Sequence, residues 1–229
     1  MQKPLLLPVK AVVIDLDGTL LDTAADIGEA ANRMLAELGR GRLPEDTIKS
    51  YIGNGVSRLV KRALTGEMTG EPEPALLEPA LAAFNRHYTE VLCRATCPYP
   101  GVLEGLSALR AAGFHLACIT NKAAQFTLPL LKATGLAAYF DLVLSGDSLP
   151  KKKPDPLPLY HACRHFGVIP AEMLLIGDSL NDAQAARAAG CPVFCVPYGY
   201  NRGEPVERLD IDQVVPDLAA AAARLTKAA

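Results

Sequence analysis

Val9-Lys10-Ala11-Val12-Val13-Ile14-Asp15-Leu16-Asp17-Gly18-Thr19-Leu20-Leu21-Asp22-Thr23 decides how the rest of the chain is read. Its first six residues are mostly β-branched and apolar, the composition of a short strand buried on both faces. Gly18 ends that run, so Asp15 and Asp17 fall at the strand's carboxyl end, where open α/β sheets build their sites. Side chains alternate along a strand. An extended backbone through Asp17 therefore points both carboxylates the same way and turns Leu16 into the core. Two carboxylates held that close repel when both are charged, which raises one pKa or calls for a cation between them. A bare D-x-D-G is also an ordinary Asp-rich turn, so the remainder of the chain has to choose between the two readings.

Working outward, no further strand pattern appears until residue 97. Ile27, Ala30, Ala31, Met34, Leu35 and Leu38 fall at helical spacing, and Gly39 closes that run. Leu43-Pro44-Glu45-Asp46 starts a second helix, with proline near its first position and acids in its first turn. After Gly53-Asn54-Gly55, a third helical face carries Val56, Leu59, Val60 and Leu64, with Arg58, Lys61 and Arg62 beside it. Ala75 to Leu92 reads as a long helix in which Pro79 either introduces a kink or marks the start. An all-helical block of this length is too long for a simple connection. It predicts a separate helical domain over residues 23–97, inserted into an α/β core made of residues 1–22 and 98–229.

Beyond Cys97-Pro98-Tyr99-Pro100-Gly101, helices and strands alternate. The strands are Phe114 to Ile119, Leu142 to Ser145, Met173 to Ile176 and Val193 to Val196, with Val214-Val215 as a sixth. The helices are Leu103 to Ala112, Ala123 to Thr134, Leu157 to Phe166, Ser179 to Ala189 and a terminal one over Asp217 to Leu225. Strands apolar on both faces and separated by helices predict a Rossmann-like, doubly wound parallel sheet.

The formal net charge of −2 spread over 229 residues implies no broad basic surface for nucleic acid. Leu5-Leu6-Leu7 is interrupted by Pro8 and is too short for a signal-peptide core, and no later run is long enough to span a bilayer. The expectation is a cytoplasmic protein, monomer or homodimer, that engages neither membrane nor nucleic acid. Six cysteines at positions 93, 97, 118, 163, 191 and 195 lack zinc-site spacing and read as reduced thiols.

Polar residues at successive strand ends can now be gathered: Asp15 and Asp17, then Thr120 and Asn121, then Asp178 with Asp182 nearby. In a parallel sheet these ends share one rim, and Lys153 of Lys151-Lys152-Lys153-Pro154 lies on the same side. Acids, a hydroxyl, an amide and a lysine describe a Mg²⁺ and phosphate pocket, since hard oxygen ligands suit that ion. Taken singly, Thr120-Asn121 is a strand-end turn, Lys153 one of a solvated run, and Asp182 an exposed helix residue. Their joint order argues otherwise. The four histidines read as helix or strand surface residues, not ligands.

Asp15-Leu16-Asp17-Gly18-Thr19, Thr120-Asn121, Lys153-Pro154 and Gly177-Asp178-Ser179-Leu180-Asn181-Asp182 resemble, in order, the four motifs of the haloacid dehalogenase superfamily. The helical insert after the first motif is similar to that superfamily's cap. The resemblance implies a Mg²⁺-dependent phosphate monoester hydrolase that works through an aspartyl-phosphate. It makes Asp15 the nucleophile and Asp17 the acid and base. Thr120 and Asn121 become donors to phosphoryl oxygens, and Lys153 the charge-balancing residue. The ion would be held by Asp15, the Asp17 carbonyl and Asp178, with Asp182 steadying those ligands or Lys153. The small-molecule substrate expected is a phosphate ester, 2-phosphoglycolate before others, and its carboxylate would be met by Arg58. Lys61 and Arg62 are read as the wet face of their helix. Two alternatives stand beside this: a sugar phosphomutase, and a catalytically silent binding module on the same fold. A dehalogenase is disfavoured, because a halide leaving group needs no Asp17.

Overall fold

Burial on both faces is what the run ahead of Asp15 asks for, and the computed structural model, which describes residues 6–228, puts that run at the centre of a sheet. The first five residues and the last one of the expected core, Leu5 among them, lie outside the described residues. The opening elements are β1 (Leu7–Val9), β2 (Ala11–Ile14) and β3 (Leu21–Asp22). Four helices follow: α1 (Ala24–Glu37), α2 (Glu45–Tyr51), α3 (Val56–Thr65) and α4 (Pro74–Val91). The chain then continues through β4 (Cys97–Pro98), α5 (Val102–Ala111), β5 (His115–Ile119), α6 (Ala124–Ala133), β6 (Leu142–Leu144) and α7 (Leu157–Phe166). It closes with β7 (Met173–Gly177), α8 (Leu180–Ala189), β8 (Val193–Cys195), β9 (Gln213–Val214), α9 (Leu218–Ala222) and β10 (Leu225–Lys227).

Six of these strands form one parallel sheet in the order β6-β5-β2-β7-β8-β9. The two-residue alternation of each strand divides its side chains between two cores. Val12, Ile14, Leu116, Leu174 and Ile176 face α5 and α9, while Val13, Ala117, Ile119, Leu175 and Val193 face α7 and α8. Each of the Val, Leu and Ile side chains among these, withdrawn from water, contributes about 1.5–3 kcal/mol before chain entropy is set against it. Ile14 lies opposite both Cys118 and Ile176, so β2, β5 and β7 reach the same rim in step.

The helical insert has a core of its own, in which Ile27, Met34, Leu35, Tyr51, Val60, Phe84 and Tyr88 pack together. Phe126 of α6 and Tyr200 of the loop after β8 enter the same cluster and bind the insert to the sheet. Helix α4 begins at Pro74 and passes through Pro79, whose early position removes one bond to a carbonyl of the first turn without ending the helix.

Two features depart from the sequence reading. The chain enters and leaves the insert through paired segments, with Leu21 opposite Pro98 and Asp22 opposite Cys97 in antiparallel register. Two residues a side are too few to show any periodicity. The expected terminal helix is also shorter, ending at Ala222, after which Leu225, Thr226 and Lys227 pair in parallel with Leu7, Pro8 and Val9. Here partnership with an unpaired strand outweighs the helix propensity of the alanine run.

Candidate active site

Asp15 follows directly on β2, its own backbone N–H bonded to the Ile176 carbonyl at 3.0 Å. The Leu16 N–H (2.7 Å) and the Lys153 ammonium (2.9 Å) both hold Oδ1 of its carboxylate. Lys153 is buried, and its Nζ also reaches Asp182 Oδ1 at 2.7 Å. The second oxygen of Asp182 accepts from the Ser179 hydroxyl at 2.7 Å and from the Ser179 N–H at 3.2 Å, a capping box at the start of α8. Asp182 is therefore a buried anchor for Lys153, with both oxygens engaged.

Asp178, at the end of β7, is held as firmly. Thr19 donates its hydroxyl to Oδ1 at 2.8 Å, and the Tyr200 N–H donates to Oδ2 at 2.6 Å. Asp17 lies on the same cleft. It accepts from the Thr23 hydroxyl at 2.7 Å and from the Lys122 ammonium at 2.8 and 3.1 Å. Lys122 is buried, and its charge also faces the Tyr88 ring at 4.9 Å from the centroid.

Electrostatics single out this rim. Burial pushes the Asp15 carboxyl up to about 7, against the attraction of Lys153, and burial likewise raises Asp178, with Asp182 and Asp15 adding repulsion. Burial alone would depress Lys153 and Lys122, but Asp15 and Asp182 around the first, and Asp17 and Tyr88 around the second, hold both above the usual lysine range. Fully ionised, these four carboxylates exceed the two ammonium groups by two negative charges, which one divalent cation would offset. Carboxylate oxygens of Asp15, Asp178 and Asp182 lie within 4.8 Å of one another. Gly18, at φ +85°, leaves room beside them, since a Cβ there would sit 2.5 Å from Asp178 Oδ2. All-oxygen donors of this kind fit Mg²⁺.

The expected residues come together at one place, with three adjustments. Thr120 lines the cleft, its oxygen accepting from the Lys122 N–H at 3.2 Å and its own proton free to donate. Asn121 is beside it, but its amide donates to the Gly53 carbonyl at 2.9 Å and the Lys153 carbonyl at 2.8 Å. Its side chain ties the insert and the Lys153 loop together instead of offering donors to the cleft. Arg58 is turned away toward Glu71 (3.1 Å) and the Gly70 carbonyl (3.3 Å). Arg62, expected on a wet face, is buried, with its guanidinium bonded to the Tyr51 and Met68 carbonyls and to Asn54. The fork of five donors allows that burial where three oxygens converge.

Two positions escaped sequence reading, Lys122 and Tyr88, and a third, Tyr200, takes a role that its sequence does not state. Lys122 had a signal available, since it directly follows Thr120-Asn121 at a strand end. Tyr88 had none, being one aromatic among the apolar residues of α4. Tyr200 fixes Asp178 through its N–H, and its hydroxyl accepts from the N–H groups of Thr23 and Ala24 while donating to Asp22. It thus satisfies orphan donors at the start of α1.

The sequence model of one family, described as haloacid dehalogenase-like hydrolase, matches residues 12–196. A phosphoglycolate phosphatase of Thiobacillus denitrificans is 68% identical over 222 residues, 97% of this chain and 98% of that protein. A phosphoglycolate phosphatase of Nitrosospira multiformis is 64% identical over 212 residues, 93% of each. Among solved structures, that of a predicted phosphoglycolate phosphatase from Haemophilus somnus is similar with a TM-score of 0.87 at 36% identity, covering 92% of this chain and 95% of the other.

Proposed function

The chain belongs to the haloacid dehalogenase-like hydrolase family, and from that membership we propose that it is a Mg²⁺-dependent phosphatase that converts 2-phosphoglycolate to glycolate through an aspartyl-phosphate on Asp15. The observation that carries the reading is the meeting of Asp15, Asp178, Asp182 and Lys153 on one rim, beside a cleft whose far wall is built by the insert. We take residues 23–97 as a cap over a core of residues 1–22 and 98–229.

In this reading an oxygen of the Asp15 carboxylate bonds to phosphorus as the ester P–O bond breaks. Lys153 and the Leu16 N–H hold that carboxylate in place through Oδ1. Asp17 gives a proton to the leaving oxygen, then takes one from the water that releases phosphate from Asp15. The Thr120 hydroxyl donates to a phosphoryl oxygen. Asp15, the Asp17 carbonyl and Asp178 would hold the ion, while Lys153 and Ser179 each engage one oxygen of Asp182 and keep it out of that set. When bound, Mg²⁺ draws off charge from the phosphoryl group.

The cleft, partly open to solvent, is walled by Ile27, Ile52, Val56, Leu59 and Phe84. A sugar phosphate would set its hydroxyls against these aliphatic and aromatic surfaces, where an unpaired hydroxyl is costly. A small phosphorylated acid, with no row of hydroxyls to pair, agrees with the naming of the relatives at 68% and 64% identity. The six free cysteines agree with a reducing, cytoplasmic setting. The experiment is release of free phosphate from a panel of small esters, with and without Mg²⁺, beside an assay for sugar phosphate isomers. Hydrolysis of 2-phosphoglycolate that is abolished by Asp15→Asn, in a variant that keeps its far-UV spectrum, is the expected result. Isomer formation without phosphate release would sink it.

A further inference from the structure

Apart from Asp15, Asp17, Thr120 and Asn121, the cleft offers two notable polar side chains, Lys122 and Tyr88. Lys122 is 6% exposed and is the one Lys or Arg among the residues lining the cleft. Its ammonium makes two contacts with Asp17, and a lysine has three protons to donate. Tyr88 is 1% exposed, and its hydroxyl has no hydrogen-bond partner within the described structure. The ring is fixed on one side by Phe84 and on another by Phe126, with centroids 5.6 and 4.7 Å away, so packing holds the hydroxyl near the Lys122 ammonium but short of a hydrogen bond to it. Buried polar groups are nearly always paired, and an orphan in a ligand cleft points to a partner supplied from outside.

We propose that Lys122 and the Tyr88 hydroxyl form a subsite for the carboxylate of the substrate, and so select phosphorylated carboxylic acids over neutral phosphate esters. The inference rests on the phosphatase reading above and names the residues that set its substrate class. A carboxylate there takes a charge-assisted bond from Lys122 and a second from Tyr88, while its methylene lies against the aliphatic wall. Arg58 cannot share the task in this arrangement, since Glu71 and the Gly70 carbonyl occupy its guanidinium.

The test compares 2-phosphoglycolate with ethyl phosphate, which keeps the ester and lacks the carboxylate. It uses wild type, Lys122→Met, Tyr88→Phe and Arg58→Ala. Lys122 also touches Asp17, so kcat can fall on both esters, and the selective quantity is the ratio of KM values. In Tyr88→Phe, KM for 2-phosphoglycolate should rise about tenfold, and in Lys122→Met about tenfold to a hundredfold, with ethyl phosphate changed much less. Arg58→Ala should leave the ratio alone. Tyr88→Phe removes only an unpaired hydroxyl, so its Tm without ligand should match or exceed that of wild type. Phosphate release from both esters with an unchanged KM ratio in Lys122→Met and Tyr88→Phe, or a ratio that moves only in Arg58→Ala, overturns the subsite and leaves the phosphatase standing. Failure of wild type to release phosphate from either ester removes both.

Discussion

Asp178 shows how the site is enforced by single residues. Its two oxygens are taken by Thr19 and the Tyr200 N–H, and two glycines approach it so closely that a Cβ on Gly18 or Gly199 would lie 2.5 or 2.3 Å from Oδ2. A carboxylate so buried, beside Asp15 and Asp182, is held at a cost while no cation is bound. The folded-state pKa of Asp15 stands at about 7 and that of Asp178 is also raised, so the folded protein without metal binds more protons than the unfolded chain. Stability from these groups is therefore full below the ordinary carboxylate range and is lost as pH rises toward 7 and beyond. The expected outcome in thermal melts with chelator is a Tm that falls between pH 5 and pH 8. Mg²⁺ should raise Tm more at the upper end, because it binds the deprotonated carboxylates. An equal Mg²⁺ effect at both pH values would contradict this account.

The turn between α2 and α3 is the element that joins insert to rim. Its Gly53 carbonyl accepts from Asn121 at 2.9 Å and from Asn181 at 3.1 Å, and its Asn54 carbonyl accepts from Lys152 at 2.9 Å. The Asn54 side chain donates to Asn181 at 3.2 Å and accepts from Arg62 and Arg202, each at 2.9 Å. A turn bonded to residues next to Thr120 and Asp182 couples the position of the insert to the carboxylate rim. Asn54→Ala removes three of these bonds, two of them to charged donors. Hydrogen exchange should then speed up about tenfold in the α2–α3 turn while β2, β5 and β7 stay protected. Exchange that rises uniformly across the molecule would argue against a local joint. The entry and exit of the insert are held as well, by the β3–β4 pair and by Asp26, which accepts from the N–H groups of Ala95 and Thr96 at 2.9 Å.

Across the whole molecule, the core is closed at the end away from the site by β1 and β10. Leu7 donates its N–H to the Arg224 carbonyl, Ala228 donates to Val9, and Lys227 reaches the Gly113 carbonyl. A chain ending after Ala223 loses this pairing while every rim residue keeps its neighbours. Calorimetry should record a Tm lower by about 4–8 °C, from about 2 kcal/mol of lost ladder and packing, with kcat close to that of the full chain. A collapse of activity at an unchanged Tm would be inconsistent with that placement. Among the described residues, no helix is long and apolar enough to cross a membrane.

The apolar runs before Asp15, Thr120 and Asp178, with helices between them, were enough to specify a parallel sheet and a shared rim, because period and burial are local properties of a strand and its flanking glycines. The helical insert was equally legible from spacing alone. Lys122 could have been read as another strand-end residue, whereas Tyr88 carries no mark until Phe84, Phe126 and the cleft surround it. Arg62 sits inside because carbonyls of Tyr51 and Met68 happen to converge on it, and Asn121 faces the insert because Gly53 stands opposite. Leu225 to Lys227 extend because Leu7 to Val9 lack a partner. The sequence by itself determined which groups reach the rim. Tertiary structure alone decided which partner each group meets there, since a hydrogen bond depends on ångström distances between segments that no local pattern encodes.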